Sequence, residues 1–427
     1  MRLQSWGRLT DYSVDARAID SRFTATKQLN ERPALSHGAG RSYGDVAISQ
    51  SVWLTTNLDR FIAFDHKSGH LTVESGVLLG EIQRLFAPRG WMLPVTPGTQ
   101  FVTVGGAIAN DVHGKNHHSA GTFGEHVLSL TLARTDGTER NCSETENKQL
   151  FEATIGGLGL TGLITEATIK LKKVDGPWID SETIPFRNLD EFFELSKDSE
   201  TFEYSVAWFD CTSKSGHGVF TRGNHSSSTK PLKPNRPKNF PFTPPVSLIN
   251  RVTLGLLNNA YLLLGVLTKG KKTIPFEPFF YPLDGIRHWN RAYGPKGFFQ
   301  HQCVLPETAA KVALSELLKL IRKAKAGSLL AVLKTTGERD LPGLLSFGMK
   351  GVTLALDFPN HGEKTLTLLE ELEEIVVKHG GRMNPSKDAT MSPATFEAGY
   401  PNRETFLKHK DPGITSLFFE RVIERKP

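Results

Sequence analysis

Cysteine is scarce. Cys142, Cys211 and Cys303 are the three in 427 residues; they lie far apart and form no CxxC pair. That spacing excludes a disulfide scaffold and a thiolate metal framework, and it suits a reducing compartment. The N-terminus lacks the basic–apolar–small order of a secretory signal, so a cytoplasmic location is expected. Acidic residues are missing from a whole region: residues 211–276 contain no Asp or Glu but ten basic residues, Lys214, Arg222, Lys230, Lys233, Arg236, Lys238, Arg251, Lys269, Lys271 and Lys272. This window carries +10, so the rest of the chain is −4 against a total of +6. A local basic field calls for an anionic partner: nucleic acid, anionic lipid or a phosphorylated substrate. No helix-turn-helix, zinc-finger or aromatic RNA-binding signature accompanies the charge, which sets nucleic acid aside. Within the window, 252–268 reads VTLGLLNNAYLLLGVLT, uncharged throughout. It falls short of the roughly 20 apolar residues of a spanning helix, and Asn258 and Asn259 sit at its centre. An interfacial or substrate-covering segment is expected, with a buried core helix as the alternative.

What is present is α+β texture. The length predicts two domains. Up to about residue 170, short β-type runs (SVWLTT, HLTVES, VLSLTLAR, TGLITEATIKL) alternate with glycine-rich turns. Asp136-Gly137 suits a tight hairpin, and 143–146 (SETE) before KQLFEAT reads as a capping box. From about Pro177 the texture changes. YSVAWFD, FFQHQCVLP, SLLAVLKTT and VTLALDFP read as strands; 307–326 and 364–379 are helical by period. This order suggests a second sheet with helices on one face. Residues 225–242 (HSSSTKPLKPNRPKNFPF) read as a mobile linker. The last 46 residues look irregular and end in a helix.

Two glycine-rich elements carry chemistry. SHGAGRSYGD, 36–45, follows a strand-like run. Its three glycines let the backbone turn and point N–H groups inward, as a phosphate-binding nest does. It is neither a P-loop nor a GxGxxG fingerprint. Some fifty residues on come PGTQFVTVGGAIANDVHGKNHHSAG, 97–121, and then IGGLGLTG, 155–162. Three such segments, each abutting a strand, suit a large dinucleotide held by main-chain N–H groups. Gly105 and Gly106, opening a short helix, would add an anion site at its N-terminus. A metal reading of His113, His117 and His118 is weak, because no carboxylate or thiolate completes a ligand set. His117 and His118 are expected to brace the loop by hydrogen bonds.

These segments, with YSVAWFD, FFQHQ, LAVLK and the late GGR…Lys387, resemble the vanillyl-alcohol-oxidase/PCMH superfamily of FAD enzymes. Within it they are similar to the decaprenylphosphoryl-ribose 2′-oxidases, the flavoprotein subunits of an epimerase. The resemblance runs from about residue 36 to 400. It implies a two-domain PCMH-type fold: an FAD-binding domain over 1–175, a substrate domain over 176–379 built on an antiparallel sheet flanked by helices, with a basic and apolar flap near 225–275, and a segment 380–427 returning to the first domain.

By the same resemblance, FAD contacts are Ser36, His37, Gly38, Ala39, Gly40, Arg41, Ser42, Tyr43, Gly44, Asp45, Val46, Gly98, Thr103, Val104, Gly105, Gly106, Asn110, Asp111, Val112, His113, Ile164 and Asn384. Covalent members place a histidine in the first glycine loop, where this chain has Gly40-Arg41-Ser42, so dissociable FAD is expected, with Arg41 available to the pyrophosphate. The substrate pocket implied is Lys115, Trp208, Tyr293, Gln300, Gln302, Lys334, Ala355 and Lys387. Lys387, His113 and Tyr43 are the catalytic candidates, Lys387 for charge stabilisation and orientation of the sugar hydroxyl and His113 as an alternative proton acceptor. Lys115 and Lys334 are candidates for holding the sugar phosphate. Two departures stand out: Ala355 replaces a pocket cysteine, and Asn384 replaces a tyrosine near the flavin. The expected reaction is oxidation of a polyprenylphosphoryl-ribose 2′-hydroxyl to the ketone. A short-chain-dehydrogenase-type NADH-dependent reductase and an anionic membrane surface, at the inner face of the plasma membrane, are the expected partners. The alternative is a soluble sugar or aldonolactone oxidase or dehydrogenase.

Overall fold

The computed structural model describes residues 1–228, 230–233 and 237–424. Thr229 and 234–236, in the run expected to be mobile, lie outside the described residues, as do 425–427. Of that run, Lys238–Asn239 forms a short strand parallel to Ile286–Arg287.

Near the N-terminus a βαβ unit forms a three-stranded parallel sheet. Asp15–Ala18 and Leu35–His37 flank Ser51–Leu54. The crossover helix Arg22–Glu31, capped by Ser21, buries Ala25 and Leu29 against Ile19, Trp53 and Leu58. Beside it lies a five-stranded antiparallel sheet in the order Glu139–Ser143, Val127–Ala133, Leu163–Lys170, His70–Glu74, Phe61–Asp65. Alternate side chains Leu71, Val73, Leu130, Leu132, Ala167 and Ile169 share a core with the helices Leu79–Phe86 and Val104–Ala109. The Asp136-Gly137 turn closes the expected hairpin: Arg134 donates to the Thr138 carbonyl at 2.9 Å, and Gly137 has φ 79°. The capping box does not form. Ser143 Oγ accepts from Glu146 N at 3.1 Å, and Asn147, at φ 47°, intervenes before the helix Lys148–Thr154.

The second large sheet has eight antiparallel strands: Gly270–Pro275, Trp178–Phe186, Gly218–His225, Tyr204–Phe209, Val332–Thr336, Gly351–Pro359, Phe298–Pro306 and Arg382–Met383. The strand expected over SLLAVLKTT starts only at Val332, because Trp208 Nε1 takes the Leu329 carbonyl at 2.9 Å and Ser328 Oγ caps Asp357 N at 2.8 Å. The helices Ala310–Lys323 and Glu363–Lys378 bury Leu314, Leu317, Ile321, Leu368, Leu372 and Val376 in one core with Cys303, Leu305, Leu333, Leu354 and Leu356. Strand side chains alternate in direction. Gln300, Gln302, Lys334, Ala355 and Asp357 are therefore sent to the opposite face, with Gln302 paired across the ladder to Ala355 and Gln300 to Asp357.

Among the described residues, 393–419 return to the N-terminal half as short turns of helix rather than one terminal helix. Leu417 N donates to the Ile48 carbonyl at 2.8 Å, and Asp411 accepts from Thr135 N at 2.9 Å. Residues 252–268 fall almost wholly within the helix Arg251–Leu267, capped by Asn250 through Val252 N and Thr253 N. It is half-exposed, not a core helix; among the described residues no helix is long and apolar enough to cross a membrane.

Candidate active site

A cavity of about 620 Å³ is lined on one side by the glycine segments of the N-terminal half and on the other by the free face of the eight-stranded sheet. That size falls within the usual range for small-molecule and cofactor sites. At the glycine end it is lined by Ser36, Gly38 to Tyr43, Val46, Gly98, Thr103, Gly105, Gly106, Asn110, Asp111, Val112, Leu158, Gly159, Gly162 and Ile164. Among the described residues, the amides of Gly38, Ala39, Gly40, Arg41 and Ser42 find no acceptor in the protein. A run of free amides is an anion nest.

The helix N-terminus is different. Val104 N and Gly105 N donate to the Val77 and Ser75 carbonyls at 2.9 and 2.8 Å, and Gly106 N to Thr103 Oγ1 at 3.1 Å. Those amides are spent inside the protein, so the expected anion site there does not exist. Gly105 is needed for a close approach instead: a Cβ would meet Ser75 Cβ at 3.0 Å.

Arg41 reaches into the cavity. Its guanidinium lies 4.7 Å from the Trp6 ring and bonds the Ala39 carbonyl, while Nε is buried without a partner. Ser36 Oγ, Ser75 Oγ and Asn110 Oδ1 are likewise buried and unpartnered. Unsatisfied buried polar atoms are costly unless a ligand meets them. Free amides, a guanidinium and orphaned polar atoms around glycine surfaces fit a dinucleotide such as FAD.

The other end is cationic. Lys334 and Lys387 line the cavity with His113, Gln300, Gln302, Ala355 and Asn384. Burial lowers the Lys387 ammonium to about 8, against the opposing pull of Asp357. Burial and the nearby Lys387 bring Lys334 to about 8. The Lys387 ammonium sits 4.4 Å from the Tyr43 ring centre. Burial raises the Tyr43 phenol well above its ordinary value, keeping it neutral. Asn384 Nδ2 donates to Gln302 Oε1 at 3.4 Å, which turns the Gln302 amide NH₂ to His113 Nε2 at 3.0 Å. With Nε2 accepting, the His113 proton sits on the buried, unpartnered Nδ1. Burial and three nearby cationic or imidazole groups hold His113 well below its usual pKa, hence neutral. Neutral His113 is thus bonded through Nε2 to the Gln302 amide beside Lys387.

Several expected residues stand outside the cavity. His37 is buried and bonds the Ala47 carbonyl at 2.8 Å. Asp45 is paired with Arg421 at 2.9 Å. Gly44 is packed on the Asp388 backbone, where a Cβ would clash. Val104 points into the hydrophobic core. Lys115 is half-buried, donates to the Phe279 carbonyl and lies 4.7 Å from the Phe279 ring, so it is not placed to hold a sugar phosphate. Trp208 packs on Tyr261 with centroids 4.5 Å apart. Tyr293 stacks on Phe298 at 4.2 Å, its hydroxyl buried and unpartnered. Of the two histidines expected to brace the loop, His118 does so through the Phe202 carbonyl at 2.8 Å; neither ring nitrogen of His117 has a partner.

Sequence reading missed Asp357. It is fully buried, accepts from Gln300 Nε2 at 2.5 Å, and burial raises its carboxyl to about 7. Its charge acts on Lys387, Tyr43 and Tyr293. The available signal was an acid in the apolar strand VTLALDFP two residues from Ala355, on the same face. Asp284 was also missed. It lines the cavity, accepts from Thr99 Oγ1 and Gln100 N at 2.8 Å each, and its charge acts on Arg41.

An anion nest at one end and lysines around a hydrogen-bonded pocket at the other define a site for a nucleotide cofactor and a polar substrate. Comparison with known proteins identifies the cofactor. Residues 25–143 match the FAD binding domain family. The chain is 33% identical over 431 aligned residues to decaprenylphosphoryl-beta-D-ribose oxidase of Mycolicibacterium smegmatis, covering 95% of this chain and 93% of that one. It is 28% identical to an uncharacterized protein in the mprA 5′ region of Streptomyces coelicolor, over 82% of this chain and 99% of the relative. Identity to L-gulonolactone oxidase of Mus musculus, 32%, spans only 31% of the chain. The chain therefore belongs to the decaprenylphosphoryl-beta-D-ribose oxidase family: it is an FAD-dependent oxidoreductase acting on a CH–OH group.

Proposed function

We propose that this enzyme oxidises the 2′-hydroxyl of a polyprenylphosphoryl ribose to the 2′-keto sugar, the first half of an epimerisation to an arabinose donor for cell-wall or surface glycan. The observation that carries this reading is end-to-end similarity to a relative named for that oxidation, together with a cationic pocket facing the flavin cradle. FAD, which the free amides of 38–42 and Arg41 would hold, would supply a two-electron acceptor for oxidation at C2′. The protein must orient the C–H bond, exclude water and manage the hydroxyl proton. Lys387 is suited to hold the sugar hydroxyl and offset negative charge as it develops. Neutral His113, held by Gln302, is the group beside it that can accept the hydroxyl proton, and Lys334, in the same wall, suits the sugar's polar groups or its phosphate. Asp357 acts through Lys387, keeping the ammonium charged from behind Gln300.

In this reading 1–175 binds FAD, 176–379 binds substrate and 380–427 returns to the first unit. The bonds from Asp411 and Leu417 to the N-terminal half support that division. The cofactor is held without a covalent bond, Arg41 standing where covalent relatives carry histidine. A short-chain-dehydrogenase-type NADH-dependent reductase then reduces the ketone, and the work is done from the cytoplasmic side against an anionic membrane surface. The test is anaerobic mixing with a polyprenylphosphoryl ribose, followed at the flavin absorption band. Bleaching by that lipid and not by an aldonolactone is the expected result. Bleaching by the lactone alone would favour the soluble alternative and overturn the proposal.

A further inference from the structure

The helix Arg251–Leu267 turns its aliphatic side chains outward. Val252, Leu256, Leu263 and Leu267 are 74%, 67%, 58% and 73% exposed. The rotation is fixed by what lies beneath. Leu254 packs with Ile249, Tyr293 and Phe298; Asn258 Nδ2 donates to Asp210 at 2.9 Å; Gly265 lies against Val219; Tyr261 rests on Trp208. The outer face therefore cannot roll inward to hide itself.

The apolar surface continues toward the cavity. Phe242, Val246 and Leu248 are exposed on the segment leading into the helix. That segment runs along 286–294, with Phe240 N bonded to the Arg287 carbonyl at 2.9 Å and Leu248 N to the Ala292 carbonyl at 2.8 Å. Ile286, itself exposed, lines the cavity with Arg287 and His288, so the apolar surface ends at the cavity mouth. Around it stand Lys238, Arg251, Lys269, Lys272 and Arg287, all exposed, none with an ion-pair partner among the described residues; Lys272 pairs across the ladder with Ser181, on the sheet face that carries Val219 and the helix.

We propose that this face is the membrane-docking surface: the outer side of Arg251–Leu267 and its lead-in segment enter the interface of an anionic bilayer, and the cavity mouth opens onto the lipid. This deepens the reading above, resting on its lipid-borne substrate. Charge complementarity selects the occupant. An apolar face rimmed by cations with no acid between 211 and 276 matches anionic headgroups over acyl chains. A symmetric second copy would set two cationic rims against each other. Docked in this way, the enzyme receives a prenyl chain along the apolar strip while the sugar enters the cavity.

The experiment is flotation of the FAD-loaded enzyme with vesicles of phosphatidylcholine, or of an equal mixture with phosphatidylglycerol. Binding is expected to the mixed vesicles, to weaken with salt, and to fall about fivefold for each of Lys269→Gln and Lys272→Gln. Leu256→Asp with Leu263→Asp should abolish flotation while a water-soluble short-prenyl phosphoryl ribose still bleaches the flavin at the normal rate. Equal flotation of that double variant and wild type overturns the proposal. So does concentration-dependent dimerisation that the same double variant abolishes, which would assign the face to a second copy. Bleaching without flotation removes the docking face and leaves the reaction standing; flotation without bleaching does the reverse.

Discussion

In the proposed reaction Lys387 would carry the charge stabilisation, and its own charge is not guaranteed. A lysine in water stays protonated far above neutrality; burial brings Lys387 to about 8, and only Asp357 opposes that shift. Two consequences follow for activity. Lys387→Ala should slow flavin reduction by about 10²–10³-fold, the usual cost of removing one preorganised charge-stabilising donor, as read by stopped-flow absorbance. In the wild type the rate should fall as pH rises through about 8 and the ammonium is lost. Because Lys334 titrates in the same range, the limb belongs to the pair. Asp357→Asn tests the coupling: without the carboxylate the ammonium loses its stabilising charge, so the alkaline limb should move to lower pH. A purely structural aspartate would lower activity without moving the limb.

At the scale of elements, the active-site walls are brought together by loops that share few sequence signals. The lysine loop 384–388 is a turn made by Asn384, whose Oδ1 accepts from Ser386 N at 3.0 Å and whose carbonyl accepts from Lys387 N at 3.1 Å. It docks on the first glycine loop through Tyr43 N and the Ser386 carbonyl at 3.0 Å. Arg421, from the last turn, clamps both, reaching Asp45 at 2.9 Å and Asp388 at 3.0 Å. Removing one partner of such a buried network leaves uncompensated charge and costs about 3–5 kcal/mol. Arg421→Gln should therefore lower Tm by several degrees in thermal unfolding, and weaken FAD retention on gel filtration, with Arg421→Lys restoring part of both.

For the molecule as a whole, the cavity lies between the glycine segments of the N-terminal half and the eight-stranded sheet, so a ligand there would bridge the two. Ligand that binds only the folded state stabilises it by about 2.7 kcal/mol at a hundredfold excess over Kd. Stripping the flavin should lower Tm, and added FAD should restore it. Acid precipitation should release the yellow chromophore into the supernatant; colour in the pellet would mean a covalent bond and would refute a dissociable cofactor.

The sequence by itself determined the periodicities and the glycines. Alternation in FFQHQCVLP and VTLALDFP, the period of the two long helices, and three glycine-rich segments were enough to expect a second sheet with helices and a dinucleotide cradle, because those signals are local. Only the tertiary structure decided which polar groups were already satisfied. The helix amides at Gly105 and Gly106 looked free and are taken by 75–77 and Thr103; Lys115 looked like a pocket lysine and is turned to Phe279; Asp357, a buried strand residue, acts by its charge on Lys387. A hydrogen bond or a buried charge is settled by a partner distant in sequence, and no local pattern records where that partner will be.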